Sequence, residues 1–443
     1  MLTTPIFTRL LSPTEYGTVS LYTSWMGLFT VFATLEISGS VVYKGLMRFK
    51  ENKDTFISSS LGLILTSGTI SVLTVLIFGS FFSVNIGLGV SEMLALTIEV
   101  VSYGAASLYF SGERFSYRYK SIILIGVGRA LLAALLSVIF ISALHLGAYG
   151  KILGTLLAAL AVALPLLVKI KINGKSLYDK EIWKFILTYN LPLLPNFIAL
   201  SVIAQSGKII IGKALGDAAL GKFSVAYSLG FALSLVSGGI YSAIVPWIGR
   251  KLAAGEDERI TKTVSTVFSA LTAVLLLYLS CAPELFSLLA PQGYREALGA
   301  VYPIAVAVTL SFLSNVAASI VSYTEHSTAV MGATVSAAAL SIGLNLWLIP
   351  SYGIMTASLT QLICSIVLLS LNLFSMRKIS RKNCINVNNI LHNSLLIAFY
   401  GILNYTFIEN ALSRAFLAAA EIIILIKSSK PALYTIREIP KKI

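Results

Sequence analysis

TFISSSLGLILTSGTISVLTVLIFGSFFSV, residues Thr55–Val84, runs without a single charged side chain. As a helix at 1.5 Å per residue it is about 45 Å long. The hydrocarbon core of a bilayer is only about 30 Å thick. No soluble fold keeps so long an apolar rod hidden, so lipid is its solvent. The same reading extends over nearly the whole chain. Further apolar stretches occupy 18–41, 88–112, 121–145, 148–168, 184–216, 218–248, 263–290, 298–323, 327–349, 352–376, 387–408 and 411–427. Met1–Leu11 is apolar and half a span long, which reads as the end of a first helix cut short. The expectation is a fourteen-helix membrane protein.

Composition agrees. The chain has 443 residues, 56% of them hydrophobic and only 12% charged; average soluble domains carry about 25% charged residues. Mean hydropathy is +0.85. The three cysteines, Cys281, Cys364 and Cys384, are scattered, so neither a disulfide framework nor a metal cluster is expected. The net charge of +14 is spread over short loops. That pattern fits topology control better than a nucleic-acid face.

About three quarters of the 33 basic residues fall in alternate loops, at 44–53, 114–120, 169–184, 250–262 and 377–382, and in the tail at 427–442. Basic loops lie on the cytoplasmic side. Both termini are therefore expected in the cytoplasm, with the chain crossing the bacterial inner membrane many times.

An internal repeat shows at an offset of about 204 residues. Arg9 and Gly17 match Lys213 and Gly221, and Ser20 matches Ser224. Tyr119 matches Tyr323 and Gly128 matches Gly332. Six helices fit in the offset. An even number leaves the copies the same way up, which is the parallel-repeat plan. The expected fold is all-α integral membrane: two six-helix lobes around a central cavity, plus two C-terminal helices. The expected boundaries are 1–175 for helices 1–6, 176–380 for helices 7–12, and 381–443 for helices 13–14 and a basic tail.

Particular residues carry a resemblance. PIFTRLLSPTEYGTVSLY (Pro5–Tyr22), IIIGKALGDAALGKFSVAYSLG (Ile209–Gly230), IVPWIGRKLA (Ile244–Ala253), LLAPQGYREA (Leu288–Ala297) and LNLWLIPSYGIMTASL (Leu344–Leu359) are spread along the chain. Together they resemble polysaccharide-export flippases of the Wzx type. These belong to the multidrug/oligosaccharidyl-lipid/polysaccharide (MOP) exporter superfamily. The resemblance implies transport of undecaprenyl-diphosphate-linked oligosaccharide, such as an O-antigen unit of lipopolysaccharide, to the outer leaflet. It implies as partners the lipid-linked sugar, membrane lipid, and polymerase or other assembly proteins. The sequence departs from the family at Ser206-Gly207-Lys208, where many relatives place an acidic residue before the basic one.

Such a load is an anionic diphosphate with a polar glycan and a greasy tail. Charges inside spans cost about 2.5–3.5 kcal/mol each on insertion scales, so each marks a candidate. Lys208 and Arg129 are the first choices for binding the diphosphate, and the repeat-related pair Arg9 and Lys213 the second. The bland alternative is snorkelling to the headgroups. Glu36 and Glu99 are candidates for ion coupling, because a desolvated carboxylate readily takes up a proton. Either also suits a structural ion pair with Arg129 or Lys208. Glu92 and Glu284 sit nearer helix ends and are expected to be wetted. Pro192 and Pro195 remove backbone donors inside the seventh helix and predict a hinge there. Asn190 and Asn196 are expected to line a path or to satisfy the freed carbonyls. Trp25, Trp183 and Trp247 read as interfacial anchors. The alanine runs 158–163 and 337–339 read as close packing.

No enzyme signature, metal site or cofactor motif stands out, and a phosphate-binding GxxxxGK[ST] loop is absent. A secondary transporter is therefore expected. An ion-coupled multidrug antiporter of the same superfamily is the alternative. A polysaccharide polymerase is a distant third, because no loop is large enough to hold a catalytic domain.

Overall fold

The computed structural model describes residues 3–422. Among them it is all helix and turn, with no strand. The last residues of the expected fourteenth helix, 423–427, and the basic residues Lys427, Lys430, Arg437, Lys441 and Lys442 lie outside the described residues. The chain groups into two compact units: residues 6–221, and residue 222 onward together with the first five residues.

The first unit begins with α1 (Thr4–Leu10) and α2 (Pro13–Thr34). Ser12 caps α2 through a reciprocal box: its hydroxyl accepts from the Glu15 N–H, and Glu15 Oε2 accepts from the Ser12 N–H at 2.8 Å. Two short pieces follow, α3 (Ile37–Ser40) and α4 (Val42–Arg48), and then α5 (Lys53–Ile86). Next come α6 (Val90–Phe115), α7 (Tyr119–Ser142), α8 (Gly147–Gly174), α9 (Lys180–Asn190) and α10 (Leu194–Leu215). Its core packs Ile37, Val41, Phe56, Ile64, Leu108 and Ile186. The Ala158–Ala163 run does pack closely, with Ala158, Ala159 and Ala163 buried. Outward-facing apolar side chains such as Ile77 and Leu124 are over 70% exposed, which only a hydrocarbon solvent makes favourable.

α11 (Asp217–Gly230) starts in the first unit and crosses into the second at residue 222; the second unit continues with α12 (Leu233–Ala253), α13 (Asp257–Ser280), α14 (Ala282–Leu289), a 3-10 run (Gln292–Ala300), α15 (Val301–Tyr323), α16 (Ser327–Tyr352), α17 (Met355–Phe374) and α18 (Val387–Thr406). Residues 411–422 are also helical. Its core includes Trp247, Phe268, Phe312, Val316 and Met376. Trp247 was expected at an interface; it is buried, because its stretch of α12 turns inward against α13 and α15.

Among the described residues nine helical segments are long and apolar enough to cross a membrane, and the pair α11–α12, bent by 41°, makes a tenth if it is one span. Helices α2 and α18 reach 22 and 20 residues but carry more Thr, Tyr, Asn and Ser. The repeat is visible in the element starts. α2 and α11 begin at 13 and 217, and α5 and α13 at 53 and 257, each 204 apart.

Besides the 184–216 stretch, divided by the 3-10 turn Leu191–Leu193, three expected spans are interrupted. The 263–290 stretch divides at Cys281, just before Pro283. The 218–248 stretch bends at Phe231–Ala232. The 18–41 stretch breaks at Leu35 and Glu36, both at φ of 48°. Left-handed backbone costs about 1–2 kcal/mol per non-glycine residue, so the surroundings must impose it. They do so through hydrogen bonds. Asn190 Nδ2 donates to the Leu35 carbonyl at 2.8 Å, and Ser111 Oγ donates to the Ser38 carbonyl at 3.2 Å. The Thr34 hydroxyl accepts from the Glu36 N–H at 3.2 Å.

Candidate functional site

Polar side chains gather inside the first unit, among α2, α6, α7 and α8. Glu99 on α6 is buried at 4% exposure. The Tyr22 hydroxyl of α2 donates to its Oε2 at 2.9 Å, and Thr155 Oγ1 of α8 reaches the same oxygen at 3.5 Å. Arg129 of α7 acts on Glu99 electrostatically, with its guanidinium carbon 6.0 Å from the Tyr103 ring centroid. The described residues include no contact ion pair between the two. Glu99 is therefore held by neutral donors and faces a cation nearby. A carboxylate so placed has hydrogen-bond partners whether charged or protonated, which suits a group that trades a proton or an ion.

Glu92 lies two turns earlier on α6. It was expected to be wetted and is instead 5% exposed. The cause is a cap: its Oε2 accepts the Gly89 N–H at 2.6 Å, which folds the side chain back over the start of α6. Tyr149 of α8 interacts electrostatically with the same carboxylate. Lys151, also on α8, stands with Nζ 3.0 Å from the Phe7 ring centroid. A cation over an aromatic face is a favourable way to keep charge among apolar neighbours.

The other sequence candidates are dispersed. Lys208 of α10 is half-buried and donates to Gln205 Oε1 at 3.4 Å. Gln205 lies against Gly27 of α2, where α10 and α2 pack. Arg9 and Lys213 are exposed at the ends of α1 and α10. Glu36 stands in the helix break, not inside a helix, half-buried beside Gly39. It is 14 residues beyond Tyr22, about 21 Å along a helix, so it does not join the Glu99 group. Pro192 lies in a 3-10 turn, Leu191–Leu193, and Pro195 in the first turn of α10. Of the two asparagines there, Asn190 satisfies the carbonyl freed in α2, and the Asn196 Oδ1 is buried with no hydrogen-bond partner among the described residues.

Tyr22 and Thr155 escaped sequence reasoning, because a tyrosine and a threonine in apolar helices carry no signal until a partner is known. A second polar group, in the second unit, was missed except for Glu284, which is exposed as expected. Glu421 is fully buried and accepts from Ser280 Oγ at 2.6 Å and Asn404 Nδ2 at 2.9 Å. Arg414, 5% exposed, pairs with Glu284. Among the described residues, no group of His, Cys, Asp and Glu is arranged to hold a metal ion.

Comparison with solved structures places this architecture. The chain superposes on an inward-facing multidrug-resistance MATE-family transporter of the MOP superfamily with a TM-score of 0.70. The identity is 17%, over 86% of this chain and 94% of the other. The outward-facing form of such a transporter gives a TM-score of 0.60 at 17% identity, over 86% and 91%. A MOP-superfamily transporter from Pyrococcus furiosus, described as having a binding pocket of reversed polarity that suggests a different function, gives 0.59 at 17% identity, over 90% and 91%. At these identities the likeness is one of fold, the two-lobed MOP architecture. No curated protein is significantly similar in sequence. Residues 1–252, more than half of the chain and including every residue of the Glu99 group, match the family described as polysaccharide biosynthesis protein. With residues 1–252 matched, the chain belongs to the polysaccharide biosynthesis protein family, and its fold is the one seen in MOP-superfamily transporters.

Proposed function

We propose that this protein is a secondary transporter that flips undecaprenyl-diphosphate-linked oligosaccharide across the bacterial cytoplasmic membrane by alternating access. The observation that carries the reading is the family match over the helices that hold the buried Glu99 group. In this reading the lobes run 1–175 and 176–380, residues 381–443 form an appended helix pair and tail, and both termini face the cytoplasm. Lys208 and Arg129 attract the diphosphate, with Arg9 and Lys213 guiding it at the ends of their helices. Arg129 suits the task because a guanidinium grips phosphate with two parallel hydrogen bonds. Glu99 takes up and releases the coupling ion; Glu36, at the break in α2, is the second candidate. Pro192 and Pro195 give the seventh helix its point of bending. No ATP is used, since the chain has no phosphate-binding loop.

The test is a strain lacking the gene. Lipid-linked sugar facing the cytoplasm accumulates and surface polysaccharide falls. Unchanged levels of both would refute the reading. Lys208→Ala and Arg129→Ala cut transport while leaving membrane insertion intact.

An ion-coupled multidrug antiporter is the second reading, favoured by the fold shared with multidrug transporters. It predicts a drug-sensitive deletion strain with normal surface polysaccharide. The cations within spans, which at least equal the carboxylates there, favour the anionic load.

A further inference from the structure

The second unit contains an apolar groove of about 710 Å3 walled by α15, α17 and α18. Leu310, Leu362, Ile366, Ile397 and Ile402 line it, with Tyr302 and Tyr405 among its few polar side chains. Along α18 the lining runs from Ile390 to Tyr405, about 22 Å at helical rise. α15 and α17 belong to segments apolar enough to span the bilayer, so the groove lies at hydrocarbon depth. A second pocket, of about 400 Å3, is lined by Gln292, Arg295, Leu298, Glu284, Glu409 and Arg414. Leu298 precedes Tyr302 by four residues, so the polar pocket adjoins the groove at its Tyr302 end.

Two donors at that junction are under-used. Arg414 is 5% exposed, and among the described residues neither its Nε nor its Nη1 has a hydrogen-bond partner. The Tyr302 hydroxyl is likewise buried without one. The Arg414 charge acts on Tyr302 electrostatically, so the two are neighbours. Buried donors are almost always satisfied, and a guanidinium left with one acceptor is costly. The acceptor that fits the guanidinium fork and lies next to a greasy groove is a phosphate carrying hydrocarbon chains.

We propose that the groove and pocket form one site for a single anionic bilayer phospholipid. Its chains lie in the groove and its phosphodiester sits on Arg414 and Tyr302. Glu284, whose side chain is 59% exposed, is the replaceable partner of Arg414. Charge selects the head group. Arg295 and Arg414 are offset by Glu409 and Glu284, so once Glu284 yields Arg414 to the head group the site matches a single negative charge and has no further cation for a second phosphate. The site thus differs from the cargo path and does not depend on the transport reading.

The full chain, purified in detergent, tests it by native mass spectrometry with phosphatidylglycerol, phosphatidylcholine or a polyprenyl diphosphate added. The expected result is one retained phosphatidylglycerol per chain, at least tenfold favoured over either rival. Gly401→Trp is the decisive variant, because nothing lies within 4 Å of a Cβ built there while the residue lines the groove. It folds and loses retention at least tenfold. Arg414→Lys keeps the charge but not the fork, and loses the preference over phosphatidylcholine. Glycerol phosphate, which has a head and no chains, does not displace the lipid. Equal retention of both phospholipids, undiminished retention in Gly401→Trp, preferential retention of the polyprenyl diphosphate, or displacement by glycerol phosphate would each overturn the proposal.

Discussion

Replacing Gly17 with alanine strikes the place where the two repeats begin. A Cβ on Gly17 would stand 1.8 Å from the Asp217 carbonyl oxygen and 2.5 Å from its carbon. Ordinary contact starts at 3.4 Å, so α2 and the start of α11 must part by about 1.6 Å, the difference from 1.8 Å. Both obstacles are backbone, which no rotamer change relieves. The parting also stretches the hydrogen bond from Thr18 Oγ1 to Asp217 Oδ2, now 2.8 Å. Overpacking costs about 1–3 kcal/mol, and a lost hydrogen bond to a charged group about 1.5–3 kcal/mol. Alanine returns about 0.5–1 kcal/mol of helix preference. The net expectation is a loss of about 2–4 kcal/mol. The repeat-related Gly221 has the mirrored contact, its Cβ 2.0 Å from the Pro13 carbonyl oxygen, and Gly221→Ala should cost a similar amount. Thermal unfolding of the detergent-solubilised protein reads both. Gly126→Ala and Gly128→Ala are the controls, since nothing lies within 4 Å of a Cβ at either. They should melt at or slightly above the parent temperature, and Gly17→Ala several degrees lower. A Gly17→Ala protein as stable as Gly126→Ala would refute the close-contact argument.

Asn190→Ala leaves the Leu35 carbonyl without its donor at the α2 break, a loss of about 1–3 kcal/mol, read as faster amide exchange over residues 34–38 with little change at 60–64. Cys384 is free and buried, and burial together with the Asp257 carboxylate pushes its thiol up to about 12. At pH 8 a maleimide should therefore modify exposed Cys281 at least tenfold faster than Cys384, and equal rates would contradict the burial. Hydrogen bonds from Lys251 and Arg259 hold the Glu256 carboxyl below the usual carboxylate range. Its contribution to stability is present above the unfolded-state pKa and is lost as pH falls through the lower folded-state value. Glu256→Gln should slightly lower the neutral side of the melting-temperature profile and leave the most acid end, where the carboxyl is already protonated, unchanged, so that the acid limb is flatter.

The sequence by itself determined the solvent, the helical class, the repeat and the family. These follow from properties that add along the chain: the length of apolar runs, the placement of Lys and Arg in short loops, and recurring residues at one offset. The glycines at 17 and 221 were legible as repeat partners, but their purpose was not. Only packing shows each one meeting the first residue of the other repeat's helix. Glu99 stood out because a carboxylate in an apolar helix is costly wherever it lies. Tyr22 and Thr155, which hold it, did not, since their hydroxyls become informative only through partners 77 and 56 residues away. The break at Leu35–Glu36 has no glycine or proline to announce it; a distant asparagine stabilises it through the carbonyl it exposes. Glu92 is buried by a cap that folds it onto its own helix start, and Arg414 by helices that meet far along the chain. Lipid exposure is a one-dimensional property and was readable. The satisfaction of buried polar atoms depends on which helices touch, and only the tertiary structure decided it.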